Sequence, residues 1–263
     1  MKLFHSKTTQ EPEEQVYQAV TPAITVDNVY LSYRSIVPVS KRKTEDGKKK
    51  SGRVEHFEAL HGISFEIAQG EIVGLIGRNG SGKSTLLRVL AGIFEADRGT
   101  VDLHGKTVSL LALGVGFQKQ LSGRENIYLS GLLMGFSKQR IDSQVDEIIE
   151  FSELGTFIDK PVQTYSSGMQ SKLGFAITAI LKTDIILVDE VLSVGDSHFK
   201  KKSFNKMKEL IAERNRTVVI VSHNTSTIQE ICEKVIWLHD GDIKMIGPTE
   251  EVGELYEEFM EQY

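Results

Sequence analysis

The sequence predicts an α/β fold with a mostly parallel sheet, a smaller antiparallel β subdomain and an inserted α-helical subdomain. Near-continuous apolar runs at 185–188 and 217–221 are typical of parallel strands that are covered on both faces. Alternating apolar and polar residues at 24–33 predict a strand with one face packed on a core. Helical patterns over 120–181 interrupt the strand-rich sequence on either side, which predicts a separate helical subdomain.

The composition is that of an ordinary globular protein and argues against several function classes. Of the 263 residues, 40% are hydrophobic and 25% are charged. The net charge of −5 gives no overall basic field, so we expect no nucleic-acid partner. The single cysteine, Cys232, excludes an intrachain disulfide. No apolar run approaches the roughly 18–20 residues of a membrane span, so we expect the protein to reach any membrane through a partner.

The N-terminal part is predicted to contain an arm, several strands and a basic insertion. Residues 1–23 are polar as far as Pro22 and are predicted to form a mobile arm. The segment 34–55 is rich in Lys and Arg and has no apolar period, which predicts an insertion between two strands. Strands are predicted at 24–33, 57–67 and 100–113, the last of these with a turn at His104-Gly105.

The remaining elements are mostly helical until a last pair of strands. Ser122 and Glu125 form a capping-box pattern, which predicts a helix over 122–136. Apolar residues at helical spacing predict one amphipathic helix over 140–154, and a further helix is expected after Ser167. A hairpin with the turn Asp240-Gly241 follows, and then an acidic helix over 248–263.

The most specific motif is the string GRNGSGKST, which matches the P-loop pattern G-x-x-x-x-G-K-[ST]. Its glycines let successive backbone N–H groups point into one concavity, and the helix that follows adds the positive end of its dipole. Lys83 would reach the β- and γ-phosphates, and the Ser84 hydroxyl would bind Mg²⁺. The motif predicts a RecA-like P-loop core that binds a nucleoside triphosphate through Gly77, Asn79, Gly80, Ser81, Gly82, Lys83, Ser84 and Thr85.

A buried strand that ends in two acids supplies a second motif at 185–190. Asp189 is placed to hold Mg²⁺, and Glu190 would act as the base for the attacking water. An acid that caps the next helix is the alternative reading of Glu190. Because the pair follows a P-loop by about 100 residues, we favour the catalytic reading.

Two further positions suit phosphate chemistry. His223 ends the strand that begins at Thr217, about 33 residues after the acid pair, where a γ-phosphate sensor is expected. A histidine with a purely structural role is the alternative. The segment Tyr165-Ser-Ser-Gly-Met-Gln170 opens a helix whose free N–H groups would form a second phosphate site. A simple serine N-cap is the alternative there.

Along the chain the four motifs come in the order P-loop, segment 165–170, acid pair and His223, and in this order they resemble the nucleotide-binding domain of ABC transporters over 24–247. The resemblance implies an ATPase that uses ATP and Mg²⁺, and a head-to-tail pair of domains. By carry-over, Ser167, Gly168 and Gln170 would contact the γ-phosphate in the partner copy's site, and Ser193-Val-Gly-Asp196 matches the D-loop. Lys83, Glu190 and His223 are the catalytic residues that the resemblance implies.

Other positions match the family pattern less well. Tyr33 resembles the aromatic residue that stacks on adenine; Phe57 is a rival for that role, and an ordinary strand residue is a further reading of Tyr33. Met169 stands where the family usually has a second glycine. Gln118 is the nearest match to the glutamine that contacts Mg²⁺ and water, with Gln120 or no glutamine as alternatives.

The segments LLALGVGFQKQLSGRENIYL, YSSGMQSKLGFA and VDEVLSVGD resemble the ATPase subunits of polysaccharide exporters. The segment 148–169 and the long insertion most resemble the teichoic acid exporter group, and capsular polysaccharide and O-antigen exporters are similar. This implies a homodimer at the cytoplasmic face of the membrane that drives a separate permease carrying a lipid-linked polymer. The basic loop 41–53 is read as a solvated face or as a contact to anionic lipid or permease. A soluble ABC ATPase that acts on nucleic acid is the less favoured alternative.

Overall fold

Two sheets and a block of helices form the architecture. The computed structural model describes residues 21–37, 53–111, 117–189, 196–212, 216–222 and 225–262. The strands are β1 Pro22–Val37, β2 Arg53–Ala68, β3 Ile72–Ile76, β4 Arg98–Asp102, β5 Val108–Leu111, β6 Ile185–Asp189, β7 Thr217–Val221, β8 Lys234–His239 and β9 Asp242–Pro248. The α-helices are α1 Lys83–Leu90, α2 Gly123–Leu133, α3 Lys138–Asp142, α4 Val145–Ser152, α5 Ser167–Leu181, α6 Ser197–Ala212, α7 Thr225–Ile231 and α8 Thr249–Glu261.

The larger sheet has six strands in the order β5-β6-β7-β3-β8-β9. All neighbouring pairs are parallel except β8 and β9, which form the predicted antiparallel hairpin. The carboxyl ends of β3, β6 and β7 therefore lie side by side at one edge. The P-loop follows β3 and Asp189 ends β6, so this edge brings the two motifs together.

The smaller sheet is antiparallel, with the order β2-β1-β4. Its strands are longer than predicted, because the pairing of β1 with β2 continues as far as Val37 and Arg53. The predicted insertion 34–55 is therefore too long at both ends, and 38–52 lies outside the described residues. Pro22 and Ala23 belong to β1, and Ala23 is buried, so the predicted arm 1–23 is also too long.

The turn at His104-Gly105 joins two different sheets rather than the two strands of a hairpin. β4 pairs with β1 in the small sheet, whereas β5 pairs with β6 in the large one. The prediction of two strands joined by this turn is confirmed as far as Leu111, and each strand finds a partner that is distant in sequence.

The helical block begins as predicted and then differs in one place. Ser122 caps α2 through a complete capping box with Glu125. The single helix predicted over 140–154 is wrong, since the chain forms α3 and α4 with a break between them. At the break, the Ser143 hydroxyl donates to the carbonyl oxygen of Arg140 at 2.7 Å, a local bond that competes with continued helix.

Three apolar clusters hold these layers together and account for the sequence pattern. One lies between the antiparallel sheet, α1 and one face of the large sheet. The second covers the opposite face under α6, α7 and α8. The third lies within the helical block. The predicted fold class is confirmed, and burial on both faces explains why the central strands are apolar throughout.

Candidate nucleotide-binding site

The loop between β3 and α1 passes so close to neighbouring backbone that it requires glycine. Gly77 has φ +147°, and a Cβ atom there would lie 2.2 Å from the carbonyl oxygen of Leu238. Gly82 has φ +101°, and its Cβ would lie 2.8 Å from the carbonyl oxygen of Ala59. The P-loop is thus wedged between the end of β8 and the strand β2.

The turn between β8 and β9 supports the loop from behind. The backbone N–H of Gly241 donates to the carbonyl oxygen of Ser81 at 3.2 Å, and the N–H of His61 donates to the carbonyl oxygen of Gly241 at 2.9 Å. The imidazole of His61 lies 3.2 Å from a carboxylate oxygen of Asp242. This hydrogen bond raises the pKa of His61 and outweighs the opposing effect of burial.

The ammonium group of Lys83 spans the loop. Its Nζ atom donates to the carbonyl oxygens of Gly77 at 2.6 Å and Arg78 at 2.8 Å. Burial lowers the pKa of Lys83, and the charge of Asp189 opposes that shift. An ammonium carries three N–H groups. Two have partners among the described residues, so one is available to an anionic ligand.

Ser84 and Asp189 form a pair of oxygen ligands at the edge of the sheet. The Ser84 hydroxyl donates to Oδ1 of Asp189 at 3.2 Å. Hydroxyl and carboxylate oxygens are the kind of ligand that Mg²⁺ prefers. The neighbouring Ser81 hydroxyl is buried and has no hydrogen-bond partner among the described residues. These donors and acceptors fit a Mg²⁺-bound phosphate group.

A cavity of about 230 Å³ opens beside the loop. The Tyr33 hydroxyl lies 3.0 Å from Oγ1 of Thr85, and the Tyr33 ring packs edge-on against Phe94 at 5.9 Å. Phe57 pairs with Tyr33 across the two strands, and 60% of its side chain is exposed. Phe57 therefore offers the more accessible ring. The cavity is lined by Tyr33, Phe57, Ala59, Asn79, Gly80, Gly82, Lys83, Ser84, Thr85, Asp189 and Val221.

The start of α5 is a separate surface, since none of its residues is among those that line this cavity. The N-cap is Ser166, whose hydroxyl accepts the N–H of Met169 at 3.2 Å, and Ser167 is the first helical residue. The Gln170 side chain turns back toward the carbonyl oxygen of Tyr165 at 3.4 Å. The structure thus contains the serine N-cap that the sequence offered as the alternative reading of this segment.

The other predicted site residues are more scattered. Gln118 is exposed, and its backbone N–H donates to the side chain of Asn126, a residue that sequence reasoning did not identify. Glu190, His223 and residues 193–195 of the D-loop lie outside the described residues. Asp196, the last D-loop residue, contacts Lys172 on α5 at 2.9 Å.

The family model described as ABC transporter matches residues 60–193, about half of the chain. The chain belongs to the ABC transporter family. Two solved ABC cassettes show the same fold: the dimeric MJ0796 cassette in a post-hydrolysis state bound to ADP and Pi, and an ATP-binding subunit of an ABC transporter. The first is 22% identical with a TM-score of 0.67, covering 86% of this chain and 98% of its own. The second is 18% identical with a TM-score of 0.69, covering 89% and 93%.

Several curated ABC proteins are similar in sequence. The teichoic acids export ATP-binding protein TagH of Bacillus anthracis is 45% identical over 86% of this chain, which spans 40% of that protein's length. TagH of Lactococcus lactis is 50% identical over 79% of this chain and 44% of its own length. The O-antigen export ATP-binding protein RfbB of Klebsiella pneumoniae is 45% identical over 78% of this chain and 82% of its own length. Thus the chain spans less than half the length of these two TagH proteins and most of that RfbB.

In the described part of the chain, none of the helices has the length and apolar character that a membrane span requires.

Proposed function

We propose that this chain is the ATP-hydrolysing subunit of an ABC exporter that moves lipid-linked teichoic acid across the cytoplasmic membrane. The observation that carries the ATPase activity is the meeting of Lys83, Ser84 and Asp189 beside a glycine-lined loop. The names of similar proteins support teichoic acid as the exported polymer. The two parts of the proposal therefore have independent support.

The P-loop is proposed to bind the phosphates of ATP. The first backbone N–H groups of α1 have no partners within the helix, and the helix dipole favours an anion there. The remaining N–H of Lys83 and the buried Ser81 hydroxyl add donors. For adenine, Phe57 is favoured over the predicted Tyr33, because the Phe57 ring is exposed whereas the Tyr33 ring is half-buried against Phe94.

Ser84 and Asp189 are proposed to hold Mg²⁺, with Gln118 as a further contact. A bound Mg²⁺ would neutralise negative charge on the phosphates. In the structure the Ser84 hydroxyl and the Asp189 carboxylate already face each other at 3.2 Å, so both oxygens converge on one point. Gln118 remains a prediction that rests on the family pattern.

Glu190 is proposed as the general base for water, and His223 as the group that senses the γ-phosphate. Their support is adjacency in sequence to residues that the structure describes. Asp189, just before Glu190, pairs with Val221, two residues before His223, at the ends of β6 and β7. This adjacency to the edge that carries the P-loop supports both proposed roles.

Two copies of the chain are proposed to act together with a separate permease at the cytoplasmic face of the membrane. The start of α5, with Ser167, Gly168 and Gln170, does not line the cavity of its own chain, so a second copy would bring it to the nucleotide. Ser166, as the N-cap, is added to this surface. The dimeric state of the MJ0796 cassette supports this arrangement by analogy.

The polymer is proposed to be teichoic acid, with O-antigen as the second candidate. TagH relatives reach 45% and 50% identity. The O-antigen relative from Klebsiella is equally identical at 45%, and the match covers 82% of its length. That larger coverage is the observation that favours O-antigen.

The test is depletion of the protein in its native host, with complementation by the full chain or by its Glu190→Gln variant. We expect depletion to lower cell-wall phosphate while lipid-linked polymer accumulates inside, and only the original chain to restore it. Glu190→Gln should bind ATP without turnover and accumulate as a closed dimer, because the base is lost. Glu254→Gln, an exposed change on α8, is the matched control and should complement fully.

Unchanged wall phosphate with loss of another surface polysaccharide would move the assignment to that polymer. Complementation by Glu190→Gln would instead remove Glu190 as the base. An unaltered envelope after depletion would contradict the exporter itself.

A further inference from the structure

Asn126 is a fully buried polar residue on α2, and its side chain bonds to one short segment. Its side-chain oxygen accepts the backbone N–H of Gln118 at 2.8 Å. Its amide nitrogen donates to the carbonyl oxygens of Gln118 at 3.1 Å, Leu121 at 3.3 Å and Ser122 at 2.9 Å. One side chain thus satisfies both backbone groups of Gln118, as donor and as acceptor.

The same segment is tied to the chain that leads into α5. The N–H of Val162 donates to the carbonyl oxygen of Leu121, and the N–H of Gln163 donates to that of Lys119, both at 2.9 Å. Ser122 also pairs with Pro161 in an isolated antiparallel β-bridge. Residues 118–122 therefore lie between Asn126 on one side and the approach to α5 on the other.

The space at this junction leaves little freedom. A Cβ atom at Gly123 would lie 2.3 Å from the hydroxyl of Tyr165, which itself donates to the carbonyl oxygen of Phe157 at 2.7 Å. Tyr165 directly precedes the N-cap of α5. The segment with Gln118 and the start of α5 are consequently held as one unit.

We propose that Asn126 is a positioning residue that fixes Gln118 relative to the start of α5. The inference rests on the proposed function, in which Gln118 serves the nucleotide of its own chain and α5 serves that of the second copy. Asn126 would then hold Gln118 and the start of α5 in a fixed relative position while the two copies close on ATP. An amide supplies an acceptor for the Gln118 N–H and two N–H donors, which the three carbonyl oxygens share. Leu supplies neither kind of group and Asp supplies no donor, so neither replaces Asn126.

The experiment compares Asn126→Leu and Asn126→Asp in the full chain. ATP binding to the monomer is measured with a fluorescent ATP analogue, and phosphate release is measured at saturating Mg-ATP. We expect kcat to fall about tenfold or more, because misplaced groups lose rate steeply. Nucleotide affinity should stay within about twofold, since the P-loop is on another element. Asn126→Asp keeps the acceptor but places a carboxylate oxygen against three carbonyl oxygens, so it should lose kcat as well.

Ser152→Ala is the matched control. Ser152 is also buried in the helical block, where its hydroxyl donates to the carbonyl oxygen of Ile149 at 2.7 Å, away from residues 118–122. Ser152→Ala should lower the thermal stability yet keep kcat. If Ser152→Ala lowers kcat as much as Asn126→Leu does, the role of Asn126 is general stability and the proposal is wrong.

A double-mutant cycle with Gln118→Ala separates positioning from stability. If Asn126 acts through Gln118, the double variant is no slower than Gln118→Ala alone. If the double variant loses kcat by the product of the two single losses, or if Gln118→Ala keeps full activity, the inference is wrong while the ATPase proposal stands. A wild-type chain without Mg-dependent phosphate release overturns the proposed function and this inference with it.

Discussion

At Gly77 a single added carbon would meet a backbone atom that has no room to move. The closest contact is 2.2 Å to the carbonyl oxygen of Leu238, a residue that is itself fully buried. Gly92, after α1, also has positive φ, but a Cβ there meets nothing within 4 Å. Gly92, with φ +68°, therefore shows the cost of a left-handed backbone without a close contact, whereas Gly77 combines φ +147° with one.

We predict that Gly92→Ala lowers the free energy of unfolding by about 1–2 kcal/mol, the strain of a left-handed alanine. Gly77→Ala should lose more, because φ +147° is unfavourable for alanine and overpacking against β8 adds about 1–3 kcal/mol. Urea unfolding of both variants measures the difference. Equal losses would show that the loop relaxes away from Leu238 and that the close approach does not constrain it.

Some of the individual site residues could be identified from the sequence, and others could not. The P-loop is encoded in nine consecutive residues, so its pattern alone predicts the local conformation. The choice between Tyr33 and Phe57 depends on the register of two strands and on how far each ring is exposed, and neither is visible in a sequence. Asn126 is similar, because its role depends on a buried amide meeting backbone groups.

At the level of elements, an ion cluster joins the ends of three helices. Lys172 on α5 lies 2.9 Å from Asp196, just before α6, and 3.5 Å from Glu153, just after α4. Lys202 on α6 contacts Glu153 at 2.8 Å. Beneath them, three phenylalanine rings from α4, α5 and α6 pack with centroids about 6 Å apart: Phe151, Phe175 and Phe199.

Asp196 gives this cluster a measurable pH dependence. The backbone N–H of Phe199 and the Lys172 ammonium lower the pKa of Asp196 to about 2. An unfolded aspartate titrates near about 3.9. The carboxylate therefore stabilises the fold above that value, and its contribution is lost as pH falls toward 2.

We predict that Asp196→Asn lowers the free energy of unfolding at pH 6 and that the difference from wild type shrinks between about pH 4 and pH 2. Asparagine still accepts the Phe199 N–H, so the variant removes charge rather than the cap. Urea unfolding at pH 6, 4 and 3 measures the change. In a Lys172→Met background, the difference in unfolding free energy between the chain with Asp196 and its Asp196→Asn variant should be smaller, because the ammonium is gone, but still present, because the Phe199 N–H remains. A difference that is constant with pH would assign the effect to packing.

Element boundaries were the part of the fold least accessible to sequence. The capping box at Ser122 predicted the start of α2 because its bonds are local. The break between α3 and α4 escaped the apolar pattern, since Ile141 and Ile148 are both buried on either side of it. Likewise, the turn at His104-Gly105 is local, but the partners of β4 and β5 are set by distant strands.

For the whole molecule, the three apolar clusters raise the question of whether the helical block unfolds on its own. Ile148 on α4 is fully buried among Ile127, Leu173 and Ile180, all within the helical cluster. Leu187 in β6 is fully buried in the cluster beneath the antiparallel sheet. Two changes of similar size can therefore be placed in two separate cores.

We predict that Ile148→Ala, with a cost of about 2–5 kcal/mol, acts mainly on the helical block. Amide hydrogen exchange should speed up in α2, α3 and α4, while β3, β6 and β7 keep their protection, because local opening of a region with its own core does not require the sheet to open. Leu187→Ala should speed exchange in the sheet as well. A uniform rise with Ile148→Ala would mean that the predicted subdomain at 120–181 and the sheet unfold as one unit. Selective exchange would show that the helical block can open independently of the sheet, as the proposed coupling to a permease requires.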